Sequence, residues 1–561
     1  MSIDIKEYER HFVARMFVQA TQCRHGKHAY LTYLVRESFR TPKGPRSRTL
    51  CNITALPPET RELIAQSLRG RHFVSTDELG LTDALNFGGL VVLHQAWDQF
   101  GLERLFEGLS DRRAVGLIKA MILGRLLFPS AKLALADHAR GTLLAGACAL
   151  DQATEDFDED DLYAAMDQLT GRWVGMEKQL YSQNAPHGVS LVLYDLTSVY
   201  FEGEGPAGIS RYGHSRDHRS DRPQIILAVA ADAQGTPLHL EVLRGNRGDT
   251  TTLQGLLATL RRRFGIKEAV FVFDGGMSSK VNLEALETLH LKYVTRLGAA
   301  ALEQLLEQLP ADQSPELWDR TRVMEIVREG KRYVIAGGPW RRQRDQERRQ
   351  ARLARAEAEL KRLAAVKRKK VDAQKLASQV GRALQRLKAH KYFEYFVDPQ
   401  GQLQWSRRAD SIRAETVRDG LYLLGTNTCA EQLPAAGVLA HYQNLQEVED
   451  AFCHLKSYLR VRPVFHRRPD RVRNHVRICF IAYWLSAKLE LRWRQKDQTI
   501  EVHNLLRQLQ CIRLGRLEVA GKAFKTVVTQ VPKDLNGTLD KLGLLPLFAT
   551  PPAWATASCS K

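Results

Sequence analysis

An α/β fold built on a mixed β-sheet is what this sequence predicts, and three observations carry the prediction. Residues 186–300 alternate short apolar, β-branched runs with two amphipathic stretches of helical period. The tetrapeptide Asp232-Ala233-Gln234-Gly235 marks a tight turn between two of those runs, so an antiparallel hairpin joins a part whose helical connections require parallel pairing. A long basic stretch then separates these runs from a second set of strand and helix patterns beyond residue 419. With 561 residues, 44% of them apolar, the chain has material for more than one domain.

Residues 1–75 hold alternating runs at Tyr30–Val35 and Thr49–Ala55 around the turn TPKGPRSR, a β-rich module. Residues 76–185 turn helical. In Leu90–Phe106 the residues Leu90, Leu93, Trp97 and Phe100 recur at three, four and three, and Val115–Leu127 has a similar period. This region is expected either as a plain bundle or as a DNA-end-binding domain offering Arg112, Arg113, Lys119, Arg125, Lys132 and Arg140 to phosphates.

Residues 186–300 follow as the first part of the core. Strands are expected at Val189–Leu196, Gln224–Ala231, Pro237–Leu243, Ala269–Phe273 and Lys292–Leu297. A helix Thr250–Phe264, capped by Asp249, and a short one near Lys280–His290 lie between them. Three strands, helix, strand, helix, strand is the order of a ribonuclease-H-like core.

An insertion of helical and β character is expected over residues 301–419. Within it, Arg341–Lys391 carries 18 Lys/Arg and 5 Asp/Glu, a net 18 − 5 = +13. Leu353, Leu360 and Leu363, then Leu376, Val380, Leu384 and Leu387, define two helices around the break Lys367-Arg368-Lys369-Lys370. A solvated hairpin and a DNA-contacting arm are both compatible with that pattern, and the concentration of charge favours contact. Residues 420–500 resume the core, and 501–561 read as a tail.

The formal net charge of +19 points first to nucleic acid, because neutralising phosphates releases counterions. Eight cysteines form no C-x-x-C pair, which argues against a zinc ribbon or a dithiol redox motif and for reduced thiols. The start, MSIDIKEYERHF, lacks the apolar run of a signal peptide, and Ile478–Leu489 is too short to span a bilayer. A cytoplasmic protein without membrane partners is the expectation.

Three carboxylates carry the candidate chemistry. In His441–Leu459, Leu445, Val448, Phe452, Leu455 and Leu459 make a buried seam, and Tyr442, Glu449 and Lys456, seven apart, make a stripe beside it. Asp195 is expected at the end of the first core strand and Asp274 just after the fourth. Those two strands lie side by side in such a core, so their ends converge and a helix across them adds Glu449. Hard oxygen ligands suit two Mg²⁺ or Mn²⁺ ions per site. Each acid also has a plainer role: a turn for Asp195 or Asp274, a solvated neighbour of Lys456 for Glu449. Asp217 and Asp221, in the loop YGHSRDHRSDR, are rival acids whose spacing fits no zinc template.

The runs YDLTSVYFEG, YGHSRDHRSDRPQ and FVFDGGMSS, and the block Tyr442–Lys456 with RPVFHRRPDRVRNHV after it, resemble bacterial insertion-sequence DDE transposases of the insertion-sequence-four superfamily. That family's signature spaces Tyr, Arg, Glu and Lys as Tyr442, Leu445, Glu449 and Lys456 are spaced, with Leu445 departing from the arginine. The resemblance implies an Mg-dependent endonuclease and strand transferase with catalytic, metal-binding Asp195, Asp274 and Glu449. Tyr442 and Lys456 would hold the DNA backbone. Its partners would be double-stranded DNA, as terminal inverted repeats and target, and a second copy of the chain in a synaptic dimer at the bacterial nucleoid. The alternatives are a ribonuclease-H-like nuclease or resolvase without strand transfer, and an inactive DNA-binding relative.

Overall fold

The computed structural model describes residues 15–25, 28–71, 73, 75–140, 142–150, 156–248, 252–309, 322–365, 372–496, 498–519 and 522–557. The chain divides into two compact units, residues 1–84 with 515–527 and residues 85–514 with 528–561.

In the first unit, Arg15–His25, His28–Thr41 and Gly44–Asn52 form a three-stranded antiparallel sheet. Gly44, at φ +109°, makes the turn where the sequence reads TPKG. Among the described side chains of this sheet, Val35 is buried. Leu79–Asn86 belongs to a second sheet with Arg513–Val519 and Lys522–Val528. The latter two strands come from the segment read as a tail.

The second unit holds the expected core. Helix Gly88–Gln99 buries Leu90, Leu93 and Trp97, but it stops at Gly101, whose φ of +59° ends the helical path; Leu102–Phe106 is a separate 3₁₀ turn. Helix α1 (Arg112–Leu127) is capped by Asp111, whose Oδ1 accepts from Ala114 N at 3.1 Å, and is buried from Ala114 to Arg125. Helix α2 (Lys132–Arg140) follows it. Among the described residues no single helix is long and apolar enough to cross a membrane.

Eight strands build the central sheet, here numbered within it: β1 (Leu191–Tyr200), β2 (Gln224–Ala231), β3 (Pro237–Arg244), β4 (Val270–Phe273), β5 (Lys292–Arg296), β6 (Arg322–Arg328), β7 (Lys331–Gly337) and β8 (Leu421–Thr426). Their order across the sheet is β6-β7-β8-β5-β4-β1-β2-β3. The β1/β4 and β4/β5 pairs are parallel and the others antiparallel. Asp232 Oδ1 closes the β2–β3 hairpin by accepting from Gln234 N and Thr236 N, both at 2.9 Å. Alternate residues go to opposite cores: Leu191, Leu193, Leu227 and Val229 to one, Val192, Tyr194, Ile226 and Ala228 to the other. Both faces are therefore covered, as the near-continuous apolar runs require. Asp249, the expected cap of the next helix, lies outside the described residues; that helix runs Leu253–Phe264.

The stretch 301–419 is not wholly separate from the sheet. Strands β6 and β7 extend it by pairing β7 with β8, while helices α3 (Pro339–Ala365) and α4 (Ala373–Arg386) fold over their own core. Leu353, Leu360 and Leu363 meet Leu376, Val380 and Leu384 there, so the two leucine seams face each other. Lys367, Arg368, Lys369 and Lys370, between the helices, lie outside the described residues. Beyond residue 500, Val502, Leu505, Leu535 and Leu539 are buried.

Candidate active site

Parallel pairing brings the two aspartates together. In the β1/β4 ladder Tyr194 lies opposite Phe273, so the next residues on each side are Asp195 and Asp274. Asp195 is thus not at a strand end as expected: β1 continues to Tyr200, because Thr197, Ser198 and Val199 also find cover. Asp274 begins a 3₁₀ turn with its backbone, Met277 N donating to its carbonyl at 3.0 Å, but its side chain caps nothing. Gly275 is required by a close approach: a Cβ there would sit 2.9 Å from the Arg296 carbonyl oxygen. The turn therefore fixes the Asp274 backbone and leaves its carboxylate available. Tyr442 OH donates to Asp274 Oδ1 at 3.3 Å.

The helix expected over His441–Leu459 is in three pieces. Helix α5 (Ala435–Gln443) carries Tyr442, helix α6 (Gln446–Cys453) carries Glu449, and His454–Tyr458 is a π-turn, closed by Leu459 N donating to His454 O at 2.9 Å. The seam itself holds: Leu445, Val448, Phe452, Leu455 and Leu459 are all buried. Glu449 stays exposed beside it. Leu445, at the signature's arginine position, packs into the core at the break between α5 and α6 and faces no cleft.

The acids share one electrostatic field. Burial pushes the Asp195 carboxyl up to about 7; Asp274 and Glu449 push the same way, against Arg216. Burial, then Asp274 and Asp450, raise Glu449. Burial and Asp274 raise the Tyr442 phenol. Asp274 and Glu449 both act on Asp195, yet among the described residues no three His, Cys, Asp or Glu side chains close into a metal-ligand set.

Lys456 points elsewhere. Its Nζ donates to Asp217 Oδ1 at 2.8 Å, with only 10% of the lysine side chain and 4% of the aspartate exposed, and Arg462 Nη1 reaches the same oxygen at 2.6 Å. Desolvation lowers the lysine's pKa, against the attraction of Asp217. The loop of Arg462 is strapped to the end of β1: Val464 N donates to Tyr200 O at 3.1 Å and Glu202 N to Val464 O at 3.0 Å. Asp221 differs from Asp217; it lies at the surface with Arg219 and Arg222. The link from Asp217 to Lys456 is absent from the sequence reading, as is Arg216 beside Asp195. The only signal for either was the density of His, Arg and Asp in the loop YGHSRDHRSDR.

Comparison with known proteins gives one family: the Transposase DDE domain matches residues 186–485. No curated protein matches. Among solved structures, a piggyBac transposase in a synaptic complex with hairpin DNA aligns over 76% of this chain and 80% of that one, at 10% identity and a TM-score of 0.36.

Proposed function

Since the chain belongs to the Transposase DDE domain family, we propose that it cuts DNA at the ends of an insertion sequence and joins those ends to target DNA, with Asp195, Asp274 and Glu449 as the catalytic acids. The observation that carries this is the β1/β4 register, which makes Asp195 and Asp274 neighbours, with Glu449 acting on Asp195 and Asp274 on Glu449.

The donor set fits hard divalent cations. Asp195 and Glu449, both raised by burial and by the nearby Asp274, are relieved when positive charge enters beside them. Asp195, Asp274 and Glu449 would hold two Mg²⁺ or Mn²⁺ ions, which when bound supply Lewis acidity to the phosphoryl group. The reaction has two balanced steps. Water attacks a phosphodiester, the P–O3′ bond breaks, and the element end leaves with a 3′-hydroxyl. That hydroxyl then attacks a target phosphodiester, forming one P–O bond and releasing one target 3′-hydroxyl. One ester replaces another, so no nucleotide cofactor is consumed. Tyr442, held by Asp274, would position the backbone beside the acids, while Lys456, engaged with Asp217, would act by fixing the loop that carries Arg216. By its family likeness the protein acts on paired ends as a homodimer, a member of the insertion-sequence-four group in which Leu445 replaces a polar contact with packing.

Cleavage of the native element ends with Mg²⁺, and its loss with Ca²⁺, tests the reading. Joining of a pre-cut end to plasmid DNA separates transposition from simple hydrolysis. Binding without cleavage under any divalent ion would overturn it.

A further inference from the structure

A second feature, away from the acids, is a cavity of about 250 Å³ between the turn entering α2 and the loop Arg460–His466. Arg125, Ser130, Lys132, Arg460 and Arg462 line it. Arg125 and Lys132 are 7% and 4% exposed, a burial that a cation rarely has without a counter-charge. Here their partners are neutral. Arg125 Nη1 donates to Leu459 O at 3.4 Å, and Lys132 Nζ donates to His475 Nδ1 at 2.9 Å. Because a carbonyl only accepts, His475 Nε2 donates to Val461 O at 3.2 Å, and Nδ1 of the neutral ring is left to accept from Lys132. Burial, Lys132 and Arg125 hold that imidazole neutral, and burial with the same two cations lowers His466.

Among the described residues no carboxylate pairs with Arg125, Lys132 or Arg460; only Arg462 has one, Asp217. Ser130 Oγ is buried with no hydrogen-bond partner. The first turn of α2 has no acidic residue, and its free N–H groups add positive potential at the same place. The walls are otherwise largely apolar, with Pro129, the exposed Phe465 and the Tyr163 ring. Everything that lines this cavity donates, carries positive charge or is neutral.

We propose that the cavity holds one phosphate group of a DNA strand. The proposal rests on the DNA-acting reading above and adds a backbone contact remote from the acids. Arg462 favours a strand over a free anion: it lines the cavity and pairs with Asp217, whose chain neighbour Arg216 acts on Asp195, so one ion-paired link joins this cavity to the acids.

Full-length protein in EDTA, with a short duplex of arbitrary sequence, tests it without requiring any chemistry. Arg460→Gln changes an exposed rim residue and should leave the melting temperature alone; Lys132→Met removes the buried charge. Each should lower the slope of log affinity against log salt by about 0.9, the value for one lost phosphate contact. Inorganic phosphate at constant ionic strength should raise the melting temperature of the wild type and not that of Lys132→Met. Phosphate protection with unchanged salt slopes would mean a free-anion site and would overturn the DNA contact; neither effect would overturn the site altogether. Since no cleavage is measured, failure here and failure of the catalytic reading are separate results.

Discussion

Arg349 and Asp419, in the inserted stretch, meet fork to fork, with both guanidinium Nη atoms on both carboxylate oxygens at 2.5 Å. Asp195, in the middle of the sheet, is instead raised by burial first and then by two more carboxylates, Asp274 and Glu449. The difference runs through both regions. In the hairpin of α3 and α4, Glu359 takes Arg362 and Arg386, and Glu357 takes Arg407. At the crossing of β1, β4 and α6 like charges converge instead. A fold gains from the first arrangement and loses from the second, so the second is the one that calls for a ligand. Of the +13 over Arg341–Lys391, Arg349 is offset by an acid from outside the segment, Asp419, while Arg362 and Arg386 share Glu359, an acid already counted in that sum.

The comparison breaks most sharply at the acids. Asp195→Asn or Asp274→Asn should lower end cleavage by at least about a thousandfold, while duplex affinity and melting temperature hold or rise because repulsion is relieved. A fall in melting temperature parallel to the lost cleavage would put these residues with the structural pairs. In the insertion the signs reverse: Asp419→Ala strands a buried guanidinium and should destabilise by about 3–5 kcal/mol in denaturant unfolding. A change below about 1 kcal/mol would make that pair an ordinary surface contact.

Leu445→Arg puts a charge into the seam and should destabilise by about 2–4 kcal/mol; full stability with stronger DNA binding would mean that the side chain reaches the cleft. Lys132 offers a pH test. Its amine is pushed down to about 7 by burial and Arg125, with Cys479 opposing, while neutral His475 and His466 face it. The unfolded chain therefore binds the extra proton between about 7 and the ordinary lysine range, so the destabilisation is full below pH 7 and fades as pH rises. The stability gained by Lys132→Met should accordingly be largest at pH 6 and shrink toward pH 9; a constant gain would remove the titration from the account. The smallest effect is expected from Lys367, Lys369 and Lys370. Replacing all three should flatten the salt dependence of DNA binding by up to about 0.9 per lost contact, and an unchanged slope would leave the hairpin as a solvated element.

Much of this was legible before the fold was seen, where the signal is local. Each strand from β1 to β5 lies within a few residues of its apolar run, and the buried seam from Leu445 to Leu459 follows its spacing. What failed was local in appearance only. Leu90–Phe106 has an unbroken period, but Gly101 takes a left-handed conformation and ends the helix. The stripe Tyr442, Glu449, Lys456 assumes a continuous helix; the break at Leu445 and the π-turn at His454 redirect its two ends, one to Asp274 and the other to Asp217.

From the sequence alone come the α/β class, the addresses of Asp274 just after its strand and Glu449 beside its seam, the two leucine seams of the insertion and the basic surplus. These follow from side-chain period and composition, which a short stretch carries within itself. Only the tertiary structure decides that β6 and β7 extend the sheet, that Leu445 is packed, that Asp217 holds Lys456, and that Arg125 and Lys132 share a cavity with no acid. Those are pairings across tens to hundreds of residues; strand order and side-chain partners depend on which surfaces the folded chain must cover together, and no stretch records that by itself.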